Sequence, residues 1–391
     1  MRAAGHAVIA QGGGPTAVIN ASLYGAVAEL AAALPPSSRI LGAEGGVAGV
    51  FRKQWIDLRA PSATAWEGVR MAPGAALGSC RKMLNAEEAA AAVEIFRSLD
   101  VRRFFYIGGN DSMDTALKIG RAASAAGYEL FLAGIPKTID NDLPCTDHCP
   151  GFGSAARYFA QSVIDLGMDI RALPTPVSIL EVLGRNAGWL AAATCLAREK
   201  RGDAPHLIYV PEAPLSRERF LKDVEAAYKE LGWVVAAVSE GVVDEKGHDW
   251  AAARGNAVDG FGHALPGDVA ASLAAVVRSE LGIRARSEKP GLCGRSSALL
   301  ASTVDREEAE AVGRFAARSV CEGRSGFMAA ILRESNEPYR VNYSAAPLEE
   351  VANVERKLPA EFIAAADIKD AYRAYAAPLI GGPLTRYAAL R

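Results

Sequence analysis

Through the first 240 residues, short apolar runs alternate with stretches of helical periodicity, and this rhythm restricts the fold more than any other feature of the chain. Residues 7–10, 104–107, 129–135, 177–182, 206–210 and 233–239 have the length and apolar density of buried strands. Between them, residues 15–33, 86–99, 113–126, 154–173, 187–198 and 216–231 each carry an apolar stripe at helical spacing. Such alternation builds parallel sheets covered by helices, an α/β architecture. Ligands in these sheets settle at the carboxyl ends of the strands. The Gly-rich and acidic segments of this chain fall at those ends.

A length of 391 residues exceeds one typical domain and suits two lobes, each with its own core. Forty-three Lys and Arg nearly balance 45 Asp and Glu, for a net charge of −2. That balance leaves no electrostatic footprint for nucleic acid or an anionic membrane, so neither is expected as a partner. Charged residues or glycines interrupt every apolar run before it nears the roughly 18–20 residues of a membrane span. Residues 1–11 lead directly into a strand-like stretch and lack a signal-peptide pattern, which makes a cytoplasmic protein the expectation. The six cysteines, at 80, 145, 149, 195, 293 and 321, show no disulfide rhythm and are expected to be reduced. Cys145, His148 and Cys149 form a local cluster but lack a second ligand pair at zinc spacing, so they read as loop packing. There is no fixed-period repeat. From about residue 338, prolines at 347, 359, 378 and 383 break the pattern into short helical pieces, read as a packing or oligomer appendage.

The richest segment for chemistry is 134–142, Gly-Ile-Pro-Lys-Thr-Ile-Asp-Asn-Asp. A strand runs into a turn set by Pro136 and then presents Thr138, Asp140 and Asp142 at spacing two, on one face if the backbone is extended. One carboxylate there can take a proton from a substrate hydroxyl while its neighbour holds a metal or orients that base. Lys137 offers a compact positive charge for a phosphate oxygen. Base, metal-side acid and cation within six residues describe phosphoryl transfer, where catalysis is mostly positioning and charge stabilisation.

Two Gly-rich strand ends point the same way. Gly12, Gly13 and Gly14 follow the first strand and are expected to open the first helix, letting backbone N–H groups approach a phosphate at a helix N-terminus. A ligand-free tight turn explains them equally well when they are taken alone, since the spacing fits neither the Walker nor the dinucleotide pattern. Gly108, Gly109, Asn110, Asp111 and Ser112 repeat the arrangement, with helix capping by Asp111 or Ser112 as the bland alternative. Arg81, in Gly-Ser-Cys-Arg, is a candidate phosphate clamp. Leu183-Gly184-Arg185, Glu212, Arg286 and Arg295 stand at later strand ends and turns. Singly, each reads as structural.

In this order, the Gly-Gly loop, Gly-Ser-x-Arg, Gly-Gly-x-x-Ser, Pro-x-Thr-Ile-Asp-Asn-Asp, Glu-Val-x-Gly-Arg, Pro-Glu and a late Arg resemble the phosphofructokinase family, and its pyrophosphate-dependent branch in particular. The resemblance covers roughly residues 5–300. It implies two similar Rossmann-like lobes with parallel-rich sheets sandwiched by helices and the active site in the inter-lobe cleft. Residues 1–150, completed by part of 295–345, would form the phosphoryl-donor lobe, residues 151–294 the sugar-phosphate lobe, and residues 338–391 the C-terminal helical appendage.

By the same resemblance, Asp140 is the general base for the sugar C1 hydroxyl, worth about 10² to 10⁴ in rate. Thr138, Ile139 and Asp142 would flank it on the sugar-phosphate side, with Asp142 near substrate or metal. Leu183, where the family usually has Met, would join Gly184 and Arg185 in contacting the sugar phosphate. Glu212 would bond sugar hydroxyls, and Arg286 and Arg295 its 6-phosphate. An arginine at the place of Arg286 often comes from a neighbouring subunit, which implies a homodimer or homotetramer. Gly12, Gly13, Gly14, Arg81, Gly109 and Ser112 would hold diphosphate. Asp111 stands where ATP-using relatives have Gly and Lys137 where they commonly have Gly; the first should exclude a nucleotide and the second neutralise pyrophosphate. Asn110 stands where many members place a magnesium-binding Asp, so Mg²⁺ would be held there by a neutral carbonyl or through water. Pro176 and Leu292 also depart from the pattern, on the sugar side. The implied reaction is reversible Mg²⁺-dependent transfer from pyrophosphate to fructose 6-phosphate. Sedoheptulose 7-phosphate as acceptor and ATP as donor are the alternatives, and a non-catalytic regulatory subunit fits poorly because Lys137, Asp140 and Asp142 are all present.

Overall fold

The computed structural model describes residues 5–250 and 268–388. They form two compact α/β units, one drawn from Met1–Thr138, Asp142–Gly151 and Val304–Glu355, the other from Ile139–Asn141, Phe152–Thr303 and Arg356–Arg391. The first unit begins with β1 (His6–Gln11), α1 (Ile19–Ala33), β2 (Ile40–Ala43), α2 (Val47–Arg52), β3 (Trp55–Asp57), α3 (Ala63–Met71), α4 (Ala86–Ser98), β4 (Val101–Gly108), α5 (Asn110–Ala125) and β5 (Phe131–Pro136). The second contains α6 (Phe152–Ile170), β6 (Val177–Val182), α7 (Trp189–Ala193), β7 (Leu207–Tyr209), α8 (Arg217–Leu231), β8 (Val234–Ser239), α9 (Val269–Leu281), β9 (Ala285–Glu288) and α10 (Cys293–Ser296). Next come α11 (Thr303–Cys321), β10 (Phe327–Asn336), β11 (Tyr339–Pro347) and α12 (Leu348–Val351), and α13 (Asp370–Ala376) closes the series.

Seven strands of the first unit lie in the order β11-β10-β5-β4-β1-β2-β3. The pairs inside this sheet are parallel and those at its two edges, β10 with β11 and β2 with β3, are antiparallel. Alternation along the strands feeds two cores. Val8, Ala10, Phe104, Tyr106 and Leu132 pack on one face with α4 and α5 residues. Ala7, Ile9, Phe105, Ile107, Ala133 and Ile135 pack on the other with α1 and α11. Burial on both faces is why these strands read as unbroken apolar runs. In the second unit β7-β8-β6-β9 are all parallel, and Val177, Ile179, Val234, Ala236 and Val238 pack against α8 and α9.

Three expectations are corrected. Helix α1 starts at Ile19, not at the Gly-rich turn, because Asn20 is buried and holds the 72–77 loop: its Oδ1 accepts from Gln11 Nε2 (3.1 Å) and Ala76 N (2.9 Å), and its Nδ2 donates to Ala72 O (3.0 Å). Helix α5 starts three residues early, at Asn110. Residues 338–391 are not a helical appendage. Tyr339–Pro347 is an edge strand paired along its length with β10, and residues 356–388 belong to the second unit.

Candidate active site

In the first unit the turns after β1, β4 and β5 converge. Gly12 N donates to Ile107 O (2.8 Å), Gly13 N to Cys80 O (3.2 Å), and the Ser79 hydroxyl to Gly13 O (2.7 Å). Gly13 is left-handed at φ +72°, and a Cβ on Gly12 would lie 2.5 Å from Ser112 Oγ, so neither position accepts a side chain without strain. Lys137 N donates to Gly108 O (3.0 Å). Its ammonium, on a side chain only 4% exposed, donates to Gly14 O at 2.8 Å. Lys137 thus joins the two Gly-rich turns, its backbone on Gly108 and its cation on Gly14.

Helix α5 has Gly109 as its N-cap and no side-chain capping bond. The capping explanation for Asp111 and Ser112 therefore fails. Both sit in the first turn, where the helix dipole favours an anion. Asn110 is used differently. Its Nδ2 donates to Val354 O (2.5 Å) and its Oδ1 accepts from Asn353 N (2.7 Å), so both ends of the amide bond the chain after α12. Arg81 is exposed.

Asp142 is the better candidate to meet a cation. Its Oδ1 is buried without a hydrogen-bond partner. Burial pushes its pKa up, opposed by the Thr138 hydroxyl and by Lys137, while the charge of Glu355 adds to the rise. A buried orphan oxygen next to a second acid fits a divalent ion. Among the described residues, no group of three or more His, Cys, Asp or Glu is placed to hold a metal by itself.

The segment after Asp142 is tied to α11. Gly151 N donates to Asp305 Oδ1 (2.8 Å). His148, 2% exposed, sets Nδ1 2.8 Å from Asp147 Oδ2 and Nε2 2.6 Å from Glu308 Oε2. Burial alone would lower its pKa, but the two carboxylates outweigh it and raise it to about 9. Arg333 adds an ion pair to Asp147 (2.9 Å), and the Tyr339 hydroxyl donates to Glu308 (2.6 Å). Of the Cys/His cluster, His148 belongs, with Asp147, to a buried ion network whose other members are more than 150 positions away, while Cys145 is exposed beside Glu350.

In the second unit, Ile139 is buried and Asp140 half-buried, and Asn141 is fully buried at φ +56°. Asn141 Nδ2 donates to the Tyr375 hydroxyl (2.8 Å), and its carbonyl accepts from Arg356 Nε (3.1 Å) and Nη2 (2.7 Å). Leu183, Gly184 and Arg185 follow β6. Gly184, at φ +131°, donates from its N–H to Glu240 (3.3 Å), and the Ser239 hydroxyl donates to its carbonyl. Glu212 accepts from Gly188 N (3.0 Å) and Leu358 N (2.8 Å), so one of its oxygens already braces the backbone. Arg286 lies on β9 with its guanidinium on Asp169 and Glu288, pairing the sequence does not suggest. Leu292, 65% exposed, precedes the short α10 that carries Arg295. Sequence reasoning missed Arg356, Tyr375, Glu355, Asp305 and Glu308. Each acts across a long sequence separation and leaves no local pattern.

A parallel α/β sheet whose Gly-rich turns hold a buried lysine, with an acidic segment leaving the next strand, defines a phosphoryl-transfer enzyme. The chain belongs to the phosphofructokinase family, whose model matches residues 6–320. It is 44% identical over 388 residues to the pyrophosphate--fructose 6-phosphate 1-phosphotransferase of Xanthomonas campestris pv. campestris, covering 97% of this chain and 92% of that relative. A sulfofructose kinase of Alkalicoccus urumqiensis is 36% identical over 358 residues, covering 91% of each. The crystal structure of a pyrophosphate-dependent phosphofructokinase from Marinobacter aquaeolei superposes with a TM-score of 0.88 at 37% identity, covering 98% of this chain and 94% of that one. No described helix is long and apolar enough to cross a membrane.

Proposed function

We propose that this chain transfers a phosphoryl group reversibly between pyrophosphate and the C1 hydroxyl of fructose 6-phosphate, giving fructose 1,6-bisphosphate and phosphate. The observation that carries the reading is the buried Lys137 ammonium, 2.8 Å from Gly14 O, between the turns at Gly13 and Gly109. Full-length relatives named for this reaction support it.

In the forward direction the Asp140 carboxylate takes the C1 hydroxyl proton, the sugar oxygen forms its bond to phosphorus, and the bridging P–O bond of pyrophosphate breaks to release phosphate. Lys137 and the N–H groups of the first turn of α5 stabilise charge on the transferring and leaving oxygens. In reverse, Asp140 returns the proton. Asp111, at the start of α5, sets a carboxylate where a longer donor would bring a further phosphate, which disfavours ATP by repulsion. Mg²⁺, when bound, neutralises pyrophosphate charge, and Asp142, with Glu355 near it, would hold it. Arg185, Glu212 and Arg295 are assigned to the sugar phosphate, and the reading includes an assembly of at least two chains, which light scattering would test.

The test is a parallel assay of purified protein with Mg²⁺ and fructose 6-phosphate, offered pyrophosphate or ATP. Turnover with pyrophosphate at least 100-fold above that with ATP is expected; the reverse preference would overturn the donor assignment. Sedoheptulose 7-phosphate and sulfofructose in the same assay rank the acceptors. Better turnover of either would displace fructose 6-phosphate.

A further inference from the structure

The segment after residue 355, left without a role by its broken pattern, supplies both side chains that grip Asn141. We propose that Arg356 and Tyr375 are positioning residues for Asp140, acting by clamping the peptide immediately after it. The proposal rests on the reading of Asp140 as the base.

Asn141 is held in a left-handed conformation, φ +56°, a region that Asn enters more readily than most L residues and in which neighbouring contacts hold it. Two independent contacts do so here. Tyr375 accepts the side-chain amide at 2.8 Å, and Arg356 closes on the carbonyl with Nε and Nη2 at 3.1 and 2.7 Å. Asn141 is also fully buried, so water does not compete for either bond.

The clamp is itself braced. The Arg356 guanidinium lies 4.6 Å from the centre of the Trp189 ring, and Trp189 Nε1 donates to Arg356 O (3.2 Å). Tyr375 packs between Trp189 (5.5 Å between ring centres), Phe362 (6.0 Å) and Tyr372 (5.9 Å). The Tyr372 hydroxyl donates to Trp189 O. Three aromatic rings, Trp189, Phe362 and Tyr372, thus seat the two groups that fix the Asn141 peptide, and through it the direction in which the chain leaves Asp140. General-base catalysis is steep in such placement, since a displacement of about 1 Å can cost about 10²-fold.

The experiment uses Tyr375→Phe, which removes one hydroxyl, Arg356→Lys, which keeps the charge and loses the two-pronged grip, and Asn141→Gly, which tolerates the backbone angle without the amide. Expected are a fall in kcat of about 10- to 100-fold with KM for both substrates within twofold, an enlarged solvent deuterium isotope effect on kcat, and near-parental Tm. Tyr375→Phe should add nothing in the Asn141→Gly background, because both remove the same bond. A kcat within twofold of the parent, additive effects, or a loss that tracks Tm without an isotope effect would overturn the clamp. Asp140→Asn in the same assay separates the two readings. Loss of turnover there beside normal Tyr375→Phe and Arg356→Lys leaves the base standing and removes the clamp. Retained turnover in Asp140→Asn removes the base, and the clamp with it.

Discussion

Asn110 does structural work that its place in the motif does not suggest. Its motif position implies a metal-side group, yet its amide and carbonyl bond residues 353 and 354 and so pin the strand-following segment to the start of α5. Asn110→Ala is expected to lower stability by about 0.5–1.5 kcal/mol, the net worth of a typical hydrogen bond, because both bonds are exposed to water, seen as a slightly lower Tm. The Mg²⁺ concentration for half-maximal rate should stay within twofold, and a tenfold rise in that concentration with an unchanged Tm would return Asn110 to the metal. Other site residues are legible for the opposite reason. Lys137, Asp140, Asp142 and the Gly12–Gly13 and Gly108–Gly109 pairs lie at strand ends, where local sequence alone sets the turn and delivers the side chain. Arg356 and Tyr375 are 215 and 234 residues from the groups they hold, and no spacing rule reaches that far.

At the scale of elements, legibility follows burial. Strands β1, β4, β5, β6 and β8 are covered on both faces or lie centrally, so they stand out as apolar runs. The outer half of β10 and the first half of β11 alternate exposed and half-buried positions, and the antiparallel edge they form dissolves into a polar, proline-marked sequence. Helix starts drift for tertiary reasons, Asn20 burial for α1 and the Gly108–Gly109 approach for α5. Helix α11 illustrates an element whose polar residues face inward: Asp305 and Glu308 are buried and hold Gly151 and His148. The imidazolium of His148 faces Asp147 and Glu308, with Arg333 and Tyr339 behind them. Its pKa rises from 6.5 to about 9, so the proton is bound more tightly in the folded state. That stabilisation is full below pH 6.5 and is lost as pH climbs through about 9. Thermal melts should therefore show Tm falling across this window, and His148→Gln should flatten that part of the profile. An unchanged slope in the variant would assign the alkaline loss to another group.

The chain as a whole is interleaved, since the first unit takes Val304–Glu355 from beyond the main segment of the second, and the second then takes the residues that follow. The family match ends at residue 320, so a chain stopped after Cys321 would keep nearly every residue that carries the motifs. It would lack β10, which pairs with β5 next to the turn that holds Lys137. Met328 and Ala330 of β10 belong to one core of the sheet, and Phe327, Ala329 and Ile331 to the other. Burying a large apolar side chain contributes about 1.5–3 kcal/mol, so Phe327, Met328 and Ile331 together approach the roughly 5–15 kcal/mol that separates a typical domain from its unfolded state. The same truncation removes α12 and uncovers the backbone edge of β5 and the apolar flank of α11. The truncated chain is expected to aggregate, with little soluble yield and no cooperative melt. A soluble, monodisperse product with a sharp transition would mean that β10 and β11 decorate a sheet already complete without them.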